Sequence, residues 1–444
     1  MILNFLNPRY RQILTLGLPI IGGMLSQSLL NLVDTALVGA LGGAALAGVG
    51  VGGYASFLVM ALVMGLSSGV QAMVARRHGQ GRLAVKAEPL NGGLLIALLF
   101  CLPLMLICLS QSDRIIALIS NDQELMQVAV PYLDYRLLGA WAVGFNLSFR
   151  GYWNGINQSL AYLRVLVAVH LFNVVISYGL IYGAFGLPEL GAAGAGLGTT
   201  LSLYLGSLVY ILMTWRQARS RGFLTRLPDR QTLTSLLRLS IPNSLQQLVF
   251  AGSVAVLFGI IATLGTQELA IAHVLTHLSL LLILPAVGFG MAATTLVSHD
   301  LGKDDQDSAT QWGWDTVKVA AVTVLLLSLP LWFLPAQILG LFLSEQPLID
   351  QALIPLRITC VAICIDVMAI VFTQAMLGAG ANRTVMLVTL VGQWGFFLPL
   401  TWLVGPVLGG GLTAIWLVQL LHRGLSSVIL SFIWSRRRWS QIRL

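Results

Sequence analysis

Apolar segments long enough to cross a lipid bilayer recur along the whole chain. A membrane-spanning helix needs about 20 apolar residues. Of the 444 residues, 57% are hydrophobic and only 9% are Asp, Glu, Lys or Arg, whereas a soluble domain carries about 25% charged residues. So few charges cannot cover a water-facing surface of this size, and a soluble fold is excluded.

The segments predict an all-α polytopic membrane protein with twelve transmembrane helices. The 46 glycines suit close helix packing in a bilayer, and the polar/apolar alternation of barrel strands is not seen. The predicted spans cover residues 13–39, 44–74, 89–110, 126–149, 159–184, 192–214, 236–263, 268–297, 314–341, 351–377, 384–405 and 410–434.

The basic residues lie at alternate ends of the spans. If the N-terminus is cytoplasmic, the outer loops hold one base, Arg114, and nearly all the others fall on the inner side. This bias follows the positive-inside rule and predicts that both termini are cytoplasmic. The net charge of +8 therefore indicates orientation in the membrane and gives no reason to expect a nucleic-acid partner.

The two halves of the chain match at an offset of 223 residues. Pro19 falls on Pro242, Gly42 on Gly265, Gly65 on Gly288, Gly79 on Gly302 and Gly155 on Gly378. Six spans in each half make the repeat parallel, with an axis along the membrane normal. The predicted domains are a pseudo-symmetric pair of six-helix lobes, residues 1–214 and 236–444, joined by a cytoplasmic linker at 215–235.

Asp34 is the acid that stands out in the first half. It lies in the outer half of the first span and shares a helix face with Gln27 and Asn31, at spacings of i, i+4 and i+7. An acid inside the membrane is costly, which makes it a functional candidate. The competing interpretation is that this stripe only hydrogen-bonds a neighbouring helix.

A second polar stripe lies in the fifth span. His170, Asn173 and Ser177 follow i, i+3 and i+7, and Thr199 adds a hydroxyl at the start of the sixth span. A carboxylate near such groups can bind a proton or a hard cation such as sodium. The offset of 223 places apolar residues in the second half at the positions of Asp34, Asn173 and Ser177, namely Leu257, Phe396 and Leu400. The predicted site is therefore confined to the N-terminal lobe.

Asp366, in the tenth span, is a possible second acidic site, with a structural role as the alternative. Asp134 and Arg136 in the fourth span are expected near the outer interface in structural roles. No phosphate-binding loop and no catalytic or metal-ligand spacing occurs. The chain is therefore not expected to be an enzyme or to hold a cofactor. A proton or sodium gradient remains as the energy source for transport.

Several segments resemble the multidrug and toxic compound extrusion (MATE) family. They are LGLPIIGGMLSQSLLNLVDTALVGALGGAALAGVG in the first span, GLSSGVQAMVARRHGQG after the second, HLFNVVISYGLIY in the fifth, GAAGAGLGTTLS at the start of the sixth and AMLGAGANR after the tenth. The resemblance covers essentially the whole chain. It implies two six-helix lobes that export amphipathic, often cationic, organic compounds against protons or sodium ions.

Within this resemblance, Asp34, Asn173 and Thr199 match residues of the family's N-lobe cation site. Ser177 stands where many members, including DinF-like ones, have an Asp. Asp366 looks like the span-ten aspartate of NorM-like members, but their span-seven glutamate is replaced here near Phe250. The branch, DinF-like or NorM-like, stays open.

The sequence therefore predicts a multidrug antiporter of a bacterial inner membrane that exchanges organic cations for protons through Asp34. Losing one carboxylate should weaken a sodium site more than a proton site; sodium coupling is the alternative within the family. Pro19 removes a backbone hydrogen bond and could let the first helix bend. A lipid-linked oligosaccharide flippase, and a channel or non-transporting membrane scaffold, are the alternatives from other classes. The expected partners are small-molecule drugs and membrane lipid, with a monomeric protein.

Overall fold

The computed structural model describes residues 7–82 and 86–443, and all regular structure within these ranges is helical. In the first half the α-helices are α1 Pro8–Gly39, α2 Gly43–Gly79, α3 Glu88–Leu109, α4 Ser112–Ala117, α5 Gln123–Leu138, α6 Ala140–Gly155, α7 Ser159–Tyr182 and α8 Ala192–Ala218. In the second half they are α9 Arg230–Ala262, α10 Thr266–Gly302, α11 Gln306–Phe333, α12 Pro335–Leu339, α13 Gln346–Ala379, α14 Asn382–Leu390, α15 Leu398–Trp402 and α16 Gly411–Ser435. Two π-helical segments, Val391–Phe397 and Leu403–Val407, continue α14 and α15 into one span.

Eleven helices in the described ranges are long and apolar enough to cross a membrane. The twelfth predicted span is also present, but it is broken at Gly139 into α5 and α6, which have 16 residues each. Hydroxyl groups of α8 satisfy carbonyls near the break: Thr200 donates to the carbonyl of Tyr135 and Tyr204 to that of Leu138, both at 2.6 Å. The prediction of twelve spans is thus confirmed.

The repeat is visible in the helix bounds. α2 and α10 both have 37 residues, and both their first and their last residues are 223 positions apart. The corners that precede them also correspond, since Gly42 and Gly265 adopt positive φ angles of 115° and 152°, a region that glycine enters without a Cβ clash. The two halves therefore fold in the same register.

Small residues let helices approach closely at equivalent places in the two halves. A Cβ added to Gly155 of α6 would lie 2.9 Å from the carbonyl oxygen of Gln71 in α2, and one on Gly378 of α13 would lie 2.8 Å from the Cα of Thr294 in α10. Both pairs are related by the offset of 223. Glycine at a crossing lets two backbones pack tightly where lipid supplies no hydrophobic force between helices.

The chain forms two compact units. The first unit is Gly22–Ser244, and the second combines the chain up to Ile21 with the chain from Leu245 onward. The predicted lobes divide the sequence in half, whereas here α1 and α9 each begin in one unit and continue in the other. The boundary between the two units falls two residues after Pro19 in α1 and two residues after Pro242 in α9. Because proline lacks an N–H, each helix has a missing backbone hydrogen bond there.

The core of the first unit contains apolar clusters that fix α5 against its neighbours. Ala55 of α2, Cys108 of α3 and Leu133 of α5 belong to one cluster. Tyr132, which directly precedes Leu133 in α5, packs in a second cluster with Val38 of α1 and Ile181 of α7. These contacts place α5 beside the polar stripes of α1 and α7.

Candidate functional site

Asp34 lies near the end of α1 and is partly buried. Its Oδ1 atom is out of contact with solvent and accepts no hydrogen bond from any described residue. No ion pair to Asp34 is formed within 4.0 Å in the described part of the chain. A carboxylate oxygen that is buried without a hydrogen-bond donor makes the ionised group less favourable, so Asp34 is a candidate to take up a proton or a cation.

The charged residue that acts electrostatically on Asp34 is Arg136 of α5. The Nε atom of Arg136 is also buried without a hydrogen-bond partner among the described residues. The sequence assigned Arg136 a structural role near the outer interface, and it placed Asp34 in the outer half of the same bilayer. Their common position in the outer half of the membrane was the signal from which the relationship could have been found.

The other two residues of the α1 stripe pair with each other. Nε2 of Gln27 donates to Oδ1 of Asn31 at 3.1 Å, and both side chains are exposed. The spacing of one helical turn accounts for this contact. The stripe is therefore present, but only Asp34 within it has a buried polar atom without a partner.

The second predicted stripe is buried in α7. Asn173 and Ser177 are 1% and 0% exposed, and the Ser177 hydroxyl donates to Oδ1 of Asn173 at 3.4 Å. The Nδ2 atom of Asn173 has no hydrogen-bond partner among the described residues. His170, one turn earlier, lies with its Nδ1 2.7 Å from the Ser26 hydroxyl of α1.

Glycines of α8 bring that helix close to the α7 stripe. A Cβ on Gly198 would lie 2.9 Å from the Cα of Ser177, and one on Gly194 would lie 2.9 Å from the backbone nitrogen of Ile181. Thr199 follows in the same turn, and its hydroxyl donates to the carbonyl of Ala195 at 2.9 Å. The oxygen of Thr199 keeps its acceptor capacity, since a hydroxyl both donates and accepts.

The structure joins the predicted residues into separate hydrogen-bonded pairs. No hydrogen bond in the described residues connects Asp34 with Asn173, Ser177 or Thr199. A link that the sequence did not predict holds α1 to α7: the Tyr182 hydroxyl donates to the Leu37 carbonyl at 2.6 Å. That bond anchors α1 one turn beyond Asp34, and no feature of the sequence pointed to it.

Asp366 has a different environment, in the second unit. Its Oδ2 lies 2.5 Å from Nη1 of Arg423, with the two side chains 14% and 16% exposed. The possible second acidic site is thus paired with an internal cation, which favours the structural alternative. Pro19, the predicted bending point, lies inside α1, whose helix continues through it to Gly39.

Comparisons with known proteins agree with this architecture. The MatE family model matches twice, over residues 19–179 and 242–403. The second match begins 223 residues after the first, which is the offset that the sequence predicts for the repeat.

Similar proteins cover nearly the full length. A probable multidrug resistance protein NorM from Synechococcus sp. is 29% identical over 94% of this chain and 92% of its own length. The multidrug resistance protein NorM from Burkholderia vietnamiensis is 26% identical over 94% and 92%.

Among solved structures, a MOP superfamily transporter from Pyrococcus furiosus, described by the reverse polarity of its binding pocket, superposes with a TM-score of 0.88 at 22% identity. That match covers 98% of this chain and 96% of the other. A MATE protein in a straight conformation gives the same TM-score and identity, with 98% and 97% covered. At this identity the likeness establishes the fold.

Proposed function

Because the chain belongs to the MatE family of membrane transporters, we propose that it exports amphipathic organic compounds, many of them cationic, in exchange for protons. Multidrug export is what the names of the NorM relatives say of those proteins. The protein is a multi-pass membrane transporter and not an enzyme. Asp34 is the proposed coupling carboxylate.

The observation that carries this proposal is the buried Oδ1 atom of Asp34, which has no donor among the described residues. A proton bound there would remove the charge and with it the cost of keeping an ion partly out of water. The equivalent position in the second half is Leu257, so the repeat does not require an acid there for architecture.

Protons are favoured over sodium by the ligand set around Asp34. A hard cation needs several oxygen ligands at once, whereas a proton needs one carboxylate. No hydrogen bond in the described residues joins Asn173 or Thr199 to Asp34, so these groups are not held to the carboxylate as one ligand set. Ser177 supplies no second carboxylate, so the charge that would hold a bare sodium ion is low.

The proposed exchange is electrostatic. Ionised Asp34 attracts a cationic compound bound nearby, and protonated Asp34 does not, so entry of a proton weakens the hold on the compound. Arg136 limits this attraction because its charge already acts on the carboxylate. Pro19 is the proposed place where α1 bends as the charge of Asp34 changes, since a backbone hydrogen bond is missing there.

We also place the protein in a bacterial inner membrane with both termini in the cytoplasm, as a monomer. The distribution of basic residues supports this orientation: α2 carries Arg76, Arg77 and His78 in its last turn, and α8 carries Arg216 in its last turn. Positively charged segments are retained on the cytoplasmic side during insertion.

The proposal is tested with proteoliposomes loaded with a cationic ethidium-like dye, driven by an inward proton gradient or by an inward sodium gradient. Asp34→Asn is compared with Asp113→Asn, which removes the same charge from an exposed position in α4. We expect proton-driven efflux in the wild type and in Asp113→Asn, and at least a tenfold lower rate in Asp34→Asn. Full activity of Asp34→Asn would overturn the assignment of Asp34 as the coupling residue. Efflux driven by a sodium gradient alone would overturn the proton as the coupling ion.

A further inference from the structure

Basic side chains are concentrated at the end of the first unit where α2 and α8 end and α3 and α9 begin. Hydrogen bonds show that these ends lie together: Nη2 of Arg77 donates to the Thr232 hydroxyl at 2.6 Å, and the backbone N–H of Ala87 donates to the Arg221 carbonyl at 3.1 Å. The bases of this region are Arg76, Arg77, Arg82, Lys86, Arg216, Arg219, Arg221, Arg226 and Arg230.

The acids of this region, Glu88 and Asp229, are already engaged. Glu88 pairs with Nη1 of Arg77 at 2.5 Å and accepts from the backbone N–H of Asp229 at 3.2 Å. Asp229 accepts from the backbone N–H of Thr232 at 2.6 Å. In the described residues, Arg216, Arg219 and Arg226 form no ion pair, so this end keeps an excess of positive charge.

The segment that joins α8 to α9 is held in one conformation. Nδ2 of Asn91 in α3 donates to the carbonyls of Gly222 and Arg226 at 2.8 Å, and its Oδ1 accepts from the backbone N–H of Leu224 at 3.1 Å. Phe223 is fully buried, with its ring centroid 6.1 Å from that of Phe149. A ligand would therefore meet a preformed surface, which lowers the entropy cost of binding.

Large apolar side chains are exposed beside these arginines. Trp215, Leu224 and Leu227 are 44%, 59% and 88% exposed. Trp215 lies near the end of a membrane-spanning helix that extends to Arg221, and the two leucines follow that helix, so all three lie at the level where lipid headgroups begin. Tryptophan is enriched at this interface, and apolar residues interspersed with basic ones are typical of segments that lie on a lipid surface.

An open pocket of about 670 Å³ lies in this segment, lined by Trp215, Arg216, Arg219, Ser220 and Thr225. The Arg219 guanidinium carbon is 5.0 Å from the centroid of the Trp215 ring. The Thr225 hydroxyl donates to the Arg219 carbonyl at 3.4 Å. Two arginines, a serine and a threonine thus line one open pocket.

We propose that this pocket binds the phosphate group of an anionic phospholipid, whose acyl chains contact Leu224 and Leu227. Guanidinium groups match a phosphate with paired hydrogen bonds, and the Ser220 hydroxyl adds a donor. The exposed leucines distinguish a lipid from free phosphate, because free phosphate gains nothing from an apolar neighbour. The site is independent of Asp34 and of the ion that drives transport.

The test measures binding of phosphatidylglycerol and phosphatidylcholine to delipidated protein in detergent by native mass spectrometry. The double variant Arg216→Gln/Arg219→Gln is compared with Arg436→Gln/Arg438→Gln, which removes two exposed arginines from the second unit. Because Arg216 and Arg219 line one pocket and can bind the same phosphate, the pocket variant should bind phosphatidylglycerol about tenfold more weakly or worse. The control variant should change less than about twofold, and phosphatidylcholine binding should not change in either.

The Leu227→Ser variant and competition by inorganic phosphate distinguish binding of a whole phospholipid from binding of a phosphate group alone. The proposal predicts weaker phosphatidylglycerol binding in Leu227→Ser and no competition by inorganic phosphate at millimolar concentration. Wild-type binding by the pocket variant, an equal loss in the control variant, or effective competition by inorganic phosphate would each overturn the proposal. Thermal unfolding of every variant in the same detergent confirms that the compared proteins are folded.

Discussion

Nη1 of Arg423 lies 2.5 Å from Oδ2 of Asp366 and joins α16 to α13 inside the second unit. Asp34, in the first unit, has no such partner, and one of its oxygens is buried without a hydrogen bond from the described residues. The two acids that the sequence placed deep in the membrane therefore differ in kind. One is neutralised by the protein itself, and the other can be neutralised by an incoming ion.

Breaking the Asp366–Arg423 pair should destabilise the protein more than removing it. Arg423→Gln leaves a buried carboxylate without its cation, which typically costs about 3–5 kcal/mol, whereas replacing both charges is much less costly. We expect thermal unfolding in detergent at a clearly lower temperature for Arg423→Gln than for Asp366→Asn/Arg423→Gln. Equal melting temperatures for the two variants would show that the pair does not act as a unit.

Much of the fold could be predicted because lipid imposes simple rules. Apolar length sets the number of spans, and the offset of Pro19 and Pro242 gives the repeat, which the bounds of α2 and α10 reproduce. The break at Gly139 was missed because hydropathy does not report on backbone continuity. That break is stabilised by Thr200 and Tyr204 of another helix.

The candidate site could be predicted only in part. Spacing along a helix predicts which side chains share a face, and Gln27 and Asn31 do pair across one turn. Spacing gives no distance between helices, so the Asp366–Arg423 pair and the action of Arg136 on Asp34 emerged only in the structure. Both relationships join residues that are far apart in the sequence.

Gly198→Ala should disturb the α7 stripe. The added Cβ would lie 2.9 Å from the Cα of Ser177, so α8 must move away from α7, and such overpacking costs about 1–3 kcal/mol. We expect a lower melting temperature and slower dye efflux. Gly50→Ala is the matched control, because a Cβ there meets no atom within 4 Å and alanine favours a helix. Normal efflux in Gly198→Ala would contradict the need for this close approach.

Lys86, between α2 and α3, should make stability depend on alkaline pH. Burial, together with the nearby charge of Arg221, lowers the pKa of Lys86 to about 8, below the ordinary value of about 10.4. Below pH 8 both the folded and the unfolded states carry the proton, and the folded state bears the full cost of the buried charge. Between the two pKa values the unfolded state binds more protons, so stability rises with pH.

Lys86→Met should therefore raise the melting temperature at pH 7 and have little effect above pH 10. Lys303→Met is the control, since the Lys303 side chain is 54% exposed and lies 3.9 Å from Asp300. Melting temperatures of both variants and the wild type are compared across this pH range. A stabilisation by Lys86→Met that is the same at both pH values would contradict the assignment.

Arg136→Gln should change the pH dependence of transport. Arg136 is the charged residue that acts on Asp34, and a nearby cation opposes protonation of a carboxylate. Without it, protonation of Asp34 becomes easier, so the external pH at half-maximal dye efflux should become more alkaline by about one unit. An unchanged midpoint, or one shifted towards acid, would mean that Arg136 does not act on the coupling step.

The most direct test of the coupling by Asp34 is drug-dependent proton release from purified protein in weakly buffered detergent solution. If a cationic compound and a proton compete through Asp34, adding the compound to the wild type releases protons into the medium. Asp34→Asn should release none, while Asp113→Asn should release as many as the wild type. Undiminished proton release from Asp34→Asn would contradict the account.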